Sequence, residues 1–111
     1  MSHEGSCHCG AITVTIVDDP VEVSQCNCSI CRRTGALWTY GSPARVAVTG
    51  KGISYVHGDK MLALFHCPTC GVTTHWSPID PGYDRMGINL RLFDPKLWEA
   101  LPRKFVDGAS W

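Results

Sequence analysis

The sequence predicts a small, mainly β domain, folded as an antiparallel meander with one short C-terminal helix. Three observations point there. Short β-branched runs recur along the chain, Gly and Pro (11 and 7 residues) are scattered between them as turn signals, and one segment alone carries helical spacing with matching caps. Residues 11–17 alternate Ile12, Val14 and Ile16 with Thr13 and Thr15, a strand ended by Asp18-Asp19-Pro20. Residues 21–25 read as a short strand, and residues 36–40 as another, stopped by Gly41-Ser42-Pro43. Residues 45–49 run into a Gly50-Lys51-Gly52 turn. Residues 53–57 follow, and His57-Gly58-Asp59-Lys60 turns the chain into residues 61–65. Residues 72–76 come after a Cys-Pro-Thr-Cys-Gly knuckle, and residues 86–92 form a last strand. The helix takes Asp94 as N-cap and Pro95 as its first residue, and Pro102 stops it. Leu97, Trp98 and Leu101 then form an inward stripe at helical spacing. The terminal Trp111 is expected to pack the chain end onto the body.

At 111 residues and 12.2 kDa the chain has the size of one domain, residues 1–111. Hydrophobic residues make up 44% and charged residues 18%, which excludes intrinsic disorder. Ten basic residues balance ten acidic ones, so the basic excess of a phosphate-tracking nucleic-acid binder is missing. The start, Met1-Ser2-His3-Glu4-Gly5, has neither a basic n-region nor an apolar run. No stretch approaches the roughly 18 apolar residues that span a bilayer. A cytoplasmic chain with no membrane association is therefore expected. In that reducing compartment cysteines serve metals or catalysis more often than disulfides.

Seven cysteines fall in three groups: Cys7-His8-Cys9-Gly10, Cys26-Asn27-Cys28-Ser29-Ile30-Cys31 and Cys67-Pro68-Thr69-Cys70-Gly71. Paired cysteines on a turn bring two thiolates to one metal, about 2.3 Å away for zinc. The glycines after Cys9 and Cys70 let the backbone turn tightly, so that amide N–H groups can face the sulfurs. Zinc takes four protein ligands in a structural site and three in an open one, and seven divides as four plus three. Two divisions fit. Cys7 and Cys9 join Cys67 and Cys70, leaving Cys26, Cys28 and Cys31 as a triplet; or Cys28 and Cys31 join Cys67 and Cys70, leaving Cys7, Cys9 and Cys26. The first is favoured, because one short loop presents the triplet and the other four staple the chain start to residue 70. Zinc suits thiolate-rich sites of this spacing, with iron or an iron–sulfur cluster as the alternative. Seven thiolates around two divalent ions would leave the chain net negative, a second argument against nucleic acid as a partner.

Gly5-Ser6-Cys7-His8-Cys9-Gly10, then Cys26-Asn27-Cys28-Ser29-Ile30-Cys31-Arg32-Arg33-Thr34-Gly35, then Phe65-His66-Cys67-Pro68-Thr69-Cys70-Gly71 resemble the glutathione-dependent formaldehyde-activating family, whose domain also occurs in centromere protein V. Residues 86–95 and 105–111 look like that family's ending. The resemblance implies a zinc-bound all-β fold like that of the small Rab-exchange-factor-type chaperones. It implies two zinc ions per chain. Cys7, Cys9, Cys67 and Cys70 match the structural site, and Cys26, Cys28 and Cys31 match a second, incompletely coordinated zinc with a catalytic role. The implied reaction is that of a carbon–sulfur lyase. It joins glutathione, or a similar small thiol, to formaldehyde and gives S-(hydroxymethyl)glutathione reversibly.

The chemistry of three thiolates agrees with this. A zinc ion so held keeps a position for a substrate thiol, lowers its pKa and readies the sulfur to attack an aldehyde carbonyl. Arg32 and Arg33 follow Cys31 directly and are candidates to draw in a substrate carboxylate; solvated surface charges are the plainer reading. Thr34 and Gly35 are candidates to line the site. His8, His66 and His75 are acid–base candidates, and Trp38, Tyr40 and Trp76 candidate pocket walls, each with ordinary packing as the plainer alternative. Two readings without turnover also fit: a zinc-stabilised binding module, and a thiol or metal sensor whose triplet ejects zinc on oxidation.

Overall fold

The computed structural model describes residues 2–110 and contains two sheets. In the smaller, β1 (His3–Ser6), β2 (Thr13–Ile16) and β5 (Val46–Thr49) pair antiparallel in that order. The larger holds β3 (Val23–Cys26), β4 (Trp38–Gly41), β6 (Ile53–Tyr55), β7 (Leu62–His66), β8 (Thr73–Pro78), β9 (Met86–Asn89) and β10 (Arg103–Val106). Its order is β10-β3-β4-β9-β8-β7-β6. One-turn helices α1 (Cys31–Thr34) and α2 (Pro95–Trp98) complete the set. The mainly β class and the strands expected from β-branched runs are observed. Among the described residues no helix is long and apolar enough to cross a membrane.

The main core lies between the sheets. Val14 and Ile16 of β2 meet Val23 of β3, Met86 and Ile88 of β9, and Leu37, Leu90 and Phe93, all buried. Leu97, Trp98 and Leu101 pack on this cluster from the edge, as their spacing suggested. Asp94 caps α2 by accepting from the Lys96 N–H at 3.0 Å. The helix is shorter than the stripe implied: its regular turn ends at Trp98. Trp111 lies outside the described residues.

The meander itself is broken, since β5 and β6, on either side of the Gly50-Lys51-Gly52 turn, lie in different sheets, and β4 pairs with β9 instead of β5. Four further features depart from expectation. β1 has a sequence, His3-Glu4-Gly5-Ser6, with no apolar alternation; it is a strand because β2 pairs with it. Gly5 lets it lie close over residues 92–93, where a Cβ would come within 2.8 Å of the Leu92 carbonyl oxygen. The expected strand 86–92 stops at Asn89, whose side chain accepts from the Leu37 and Arg91 N–H groups and donates to the Thr73 carbonyl. A 3-10 turn, Leu90–Leu92, follows. Among the described residues, one strand pair is parallel rather than antiparallel. β10 lies beside β3 with Arg103 opposite Val23 and Val106 opposite Cys26, so the chain after β10 leaves the sheet at the same end as the chain after β3. The fourth is α1, which begins at a cysteine.

Gly87 of β9 sits under the Trp76 indole of β8, and a Cβ there would land on the indole nitrogen. The ring is buried and has no room to swing away. Gly87→Ala is therefore expected to cost about 2 kcal/mol or more by overpacking, read as a lower midpoint in denaturant unfolding.

Candidate metal centre and its cleft

The turns decide where the sulfurs go. After β1 the chain turns tightly, with the Cys7 N–H donating to the Ile12 carbonyl and the Gly10 N–H to that of Cys7. After β7 it turns in the same way: the Cys67 N–H donates to the Val72 carbonyl and the Gly71 N–H to that of Cys67. Gly10 and Gly71 take the left-handed conformation these turns need, at φ 82° and 78°. One turn belongs to the small sheet and the other to the large one. Together they gather Cys7, Cys9, Cys67 and Cys70, whose sulfurs all lie within 4.8 Å of one another. Cys7 and Cys67 are buried with Ile12, while Cys9 is exposed and Cys70 half-buried.

The second group, Cys26, Cys28 and Cys31, comes from the end of β3, the following loop and the first residue of α1, again with all sulfurs within 4.8 Å. All seven cysteines are free thiols.

The donor sets fit zinc. In a tetrahedron with zinc–sulfur bonds of about 2.3 Å, sulfurs stand roughly 3.8 Å apart. Cys7 and Cys9 sulfurs are 3.8 Å apart, and Cys9 and Cys67 sulfurs 3.6 Å. Backbone N–H groups face the sulfurs as they do in thiolate cages: Ile12 to Cys7 at 3.3 Å, Thr69 to Cys67 at 3.4 Å, Cys28 to Cys26 at 3.5 Å and Cys31 to Cys28 at 3.4 Å. The Val72 backbone N–H, with that of Cys9 behind it, brings the Cys70 thiol down to about 6. Burial pushes Cys31 up to about 12, against the Trp38 indole N–H that donates to its sulfur at 3.4 Å.

Beside the triplet opens a cleft of about 370 Å³, lined in part by Cys26, Cys31, Arg32, Gly35, Arg91 and Arg103. That volume lies in the usual range for small-molecule sites, about 300–1,000 Å³. Of the residues singled out after Cys31, Arg32 and Gly35 face this cleft. Arg33 and Thr34 are not in its lining. The Arg33 guanidinium donates to the Ser29 carbonyl at 2.8 Å, and the Thr34 hydroxyl donates to the Cys31 carbonyl at 3.3 Å, so both serve the α1 turn. Trp38 and Trp76 are buried behind Cys31, with Tyr40 packed against them and Arg85 4.1 Å over the Tyr40 ring. They back the triplet instead of walling the cleft. His8 is exposed and His66 half-buried. His75 is buried, stacked 4.6 Å from Phe65 and bonded to the Thr74 hydroxyl, a core residue away from the cleft.

Three residues at the triplet escaped the sequence reading. Asn27, between two cysteines, binds the final segment: its amide donates to Asp107 at 2.9 Å and its oxygen accepts from the Ala109 N–H at 2.9 Å. Gly108 then rests against the triplet, where a Cβ would come 2.5 Å from the Cys26 sulfur. Asp107 also accepts from the Ser110 hydroxyl; this bond and the one from Asn27 hold its carboxyl below the usual range. An amide flanked by thiols was the one readable sign; the glycine's role needs the parallel β10.

Compared with known proteins, the sequence matches the family model described as glutathione-dependent formaldehyde-activating enzyme over residues 2–105. The chain belongs to this family. A Halomonas elongata protein, provisionally named a glutathione-dependent formaldehyde-activating enzyme, is 32% identical over 108 residues. The match covers 95% of this chain and 64% of that protein, so the chain spans under two thirds of its relative. A crystal structure of a Rhodobacter sphaeroides protein superposes with a TM-score of 0.73 at 25% identity, covering 91% of this chain and 99% of that one.

Two outcomes follow. Asn27→Ala removes both bonds to the final segment; a loss of about 1 kcal/mol is expected, with faster amide exchange at Ala109. Burial holds the His75 pKa down at about 4, against 6.5 in the unfolded chain. The unfolded chain thus takes a proton the folded one refuses, and stability falls as pH drops from 6.5 towards 4, by about 3 kcal/mol at most. Unfolding curves of His75→Phe should lack this slope relative to the parent, both keeping the same cysteines.

Proposed function

We propose that the chain is a zinc-dependent, carbon–sulfur lyase-type enzyme that joins a small thiol such as glutathione to an aldehyde such as formaldehyde, reversibly. One observation carries the reading. Of two thiol groups able to hold a metal, the four-sulfur group is closed by its own chain, while the three-sulfur group borders an open cleft of small-molecule size. Family membership supports the substrate class.

In this reading Cys7, Cys9, Cys67 and Cys70 hold a structural zinc and Cys26, Cys28 and Cys31 a second one. When bound at the triplet, zinc supplies a positive charge that lowers the pKa of an arriving thiol. The protein's own groups do the rest. The N–H groups of Cys28, Cys31 and Trp38 spread negative charge on the triplet sulfurs. Gly108 leaves Cys26 room. Arg32 and Gly35 meet the substrate in the cleft, and Arg33 and Thr34 keep α1 in shape. The cleft holds thiol and aldehyde together, which converts an encounter of two molecules into a reaction of bound neighbours. In the forward direction a bond forms between sulfur and the carbonyl carbon, and the thiol proton ends on the carbonyl oxygen as a hydroxyl. The reverse breaks the carbon–sulfur bond and returns thiol and aldehyde.

Metal analysis should find about two zinc ions per chain, one for each group. Cys28→Ala should lose the second ion and abolish thiol-dependent turnover, with the circular dichroism close to the parent's. Unchanged turnover rejects the triplet mechanism. A parent that binds both ions and shows no turnover with any thiol–aldehyde pair favours a binding or sensing module.

A further inference from the structure

Two arginines distant in sequence from the cysteines share the cleft with the triplet. Arg91 leaves the 3-10 turn after β9, and Arg103 begins β10. Arg91 is held in place from two sides. Its Nε donates to the Gly35 carbonyl at 2.7 Å, at the end of α1, and its guanidinium stands 5.8 Å from the Trp98 ring. Its terminal nitrogens bind nothing among the described residues. Arg103 gives one terminal nitrogen to the Gln25 side chain at 3.3 Å and keeps its other donors.

With Arg32, three guanidiniums face one cleft against a single lining carboxylate, Asp107. Both Asp107 oxygens are already engaged, by Asn27 at 2.9 Å and Ser110 at 2.6 Å. Like charges gathered with unused, fork-shaped donors make a receptor for carboxylates. Phe105, 74% exposed, adds an apolar surface on the same wall.

We propose that Arg91 and Arg103, together with Arg32, bind the carboxylates of the thiol substrate and so select an acidic thiol over a neutral one. The inference rests on the thiol-site reading above and adds its specificity. A tripeptide-like thiol with a carboxylate at each end fits; a short neutral thiol gains nothing from this wall.

Calorimetric binding to the zinc-loaded protein tests it with three probes. Glutathione keeps thiol and carboxylates, its diethyl ester keeps the thiol alone, and S-methylglutathione keeps the carboxylates alone. The parent is expected to prefer glutathione to the diester by about a hundredfold, and Arg91→Gln and Arg103→Gln each to shrink that ratio about tenfold. A diester that binds the parent as tightly as glutathione, or a ratio unmoved in both variants, overturns the arginine wall and leaves the thiol site standing. Should neither free thiol bind, the thiol-site reading falls and S-methylglutathione decides the wall alone. Arginine-dependent binding upholds it, and absence of binding overturns it.

Discussion

The arrangement depends on one meeting of turns. Cys9 and Cys67, 58 residues apart, bring their sulfurs to 3.6 Å, and in doing so tie the small sheet to the large one. Four thiolates at such spacing repel unless a cation joins them. A cation there stabilises the folded chain directly, because the unfolded chain offers no such cage. The core between the sheets supplies the remainder, from about a dozen apolar side chains with Val14, Ile88 and Leu90 at its centre. A domain of this size has little apolar area in reserve, which is why stapled turns and a modest core occur together.

The same side chain then takes two environments. At the four-sulfur group, two cysteines are buried and both turns close on themselves. At the triplet, one end of the large sheet lies open. β3 delivers Cys26, and β10, running parallel to it, delivers Asp107 and Gly108 to the same end. An antiparallel β10 would have sent its following residues to the opposite end and left the triplet uncovered. The direction of one edge strand thus decides that the triplet has a neighbour wall, and the Asn27 amide fixes how closely that wall approaches.

What the sequence revealed follows from range. A strand with its own alternation, such as β2, was legible because local pattern and burial agree. The cysteine groups were legible because each knuckle is a local turn. β1 was not, since Gly5 and Ser6 become strand only through β2 and the close passage of residues 92–93. β10 was not, since Arg103-Lys104-Phe105-Val106 borrows its ladder from β3 some 80 residues earlier in the chain, a parallel pairing without local signature. Arg32 and Gly35 could be suspected from their place after Cys31. Arg91 and Arg103 could not, because only the packing of β9, α1 and β10 brings them to the cysteines.

Composition was blind to the cleft for a related reason. Ten positive and ten negative residues cancel in the sum, but not in space. On the small-sheet side Arg45 binds Asp18 through two hydrogen bonds of 2.6 and 2.8 Å, and the His3 ring meets Asp19 at 2.6 Å. At the cleft three guanidiniums meet a carboxylate whose oxygens are spoken for by Asn27 and Ser110. A neutral chain can therefore carry a positive pocket, provided its acidic residues stand elsewhere. Net charge bears on a long anionic polymer, which needs a basic stripe over many residues. It has no bearing on a small anion, which needs two or three donors in one place. The distinction between a polymer and a small molecule as ligand rests here on the clustering of charge, which follows from the strand order.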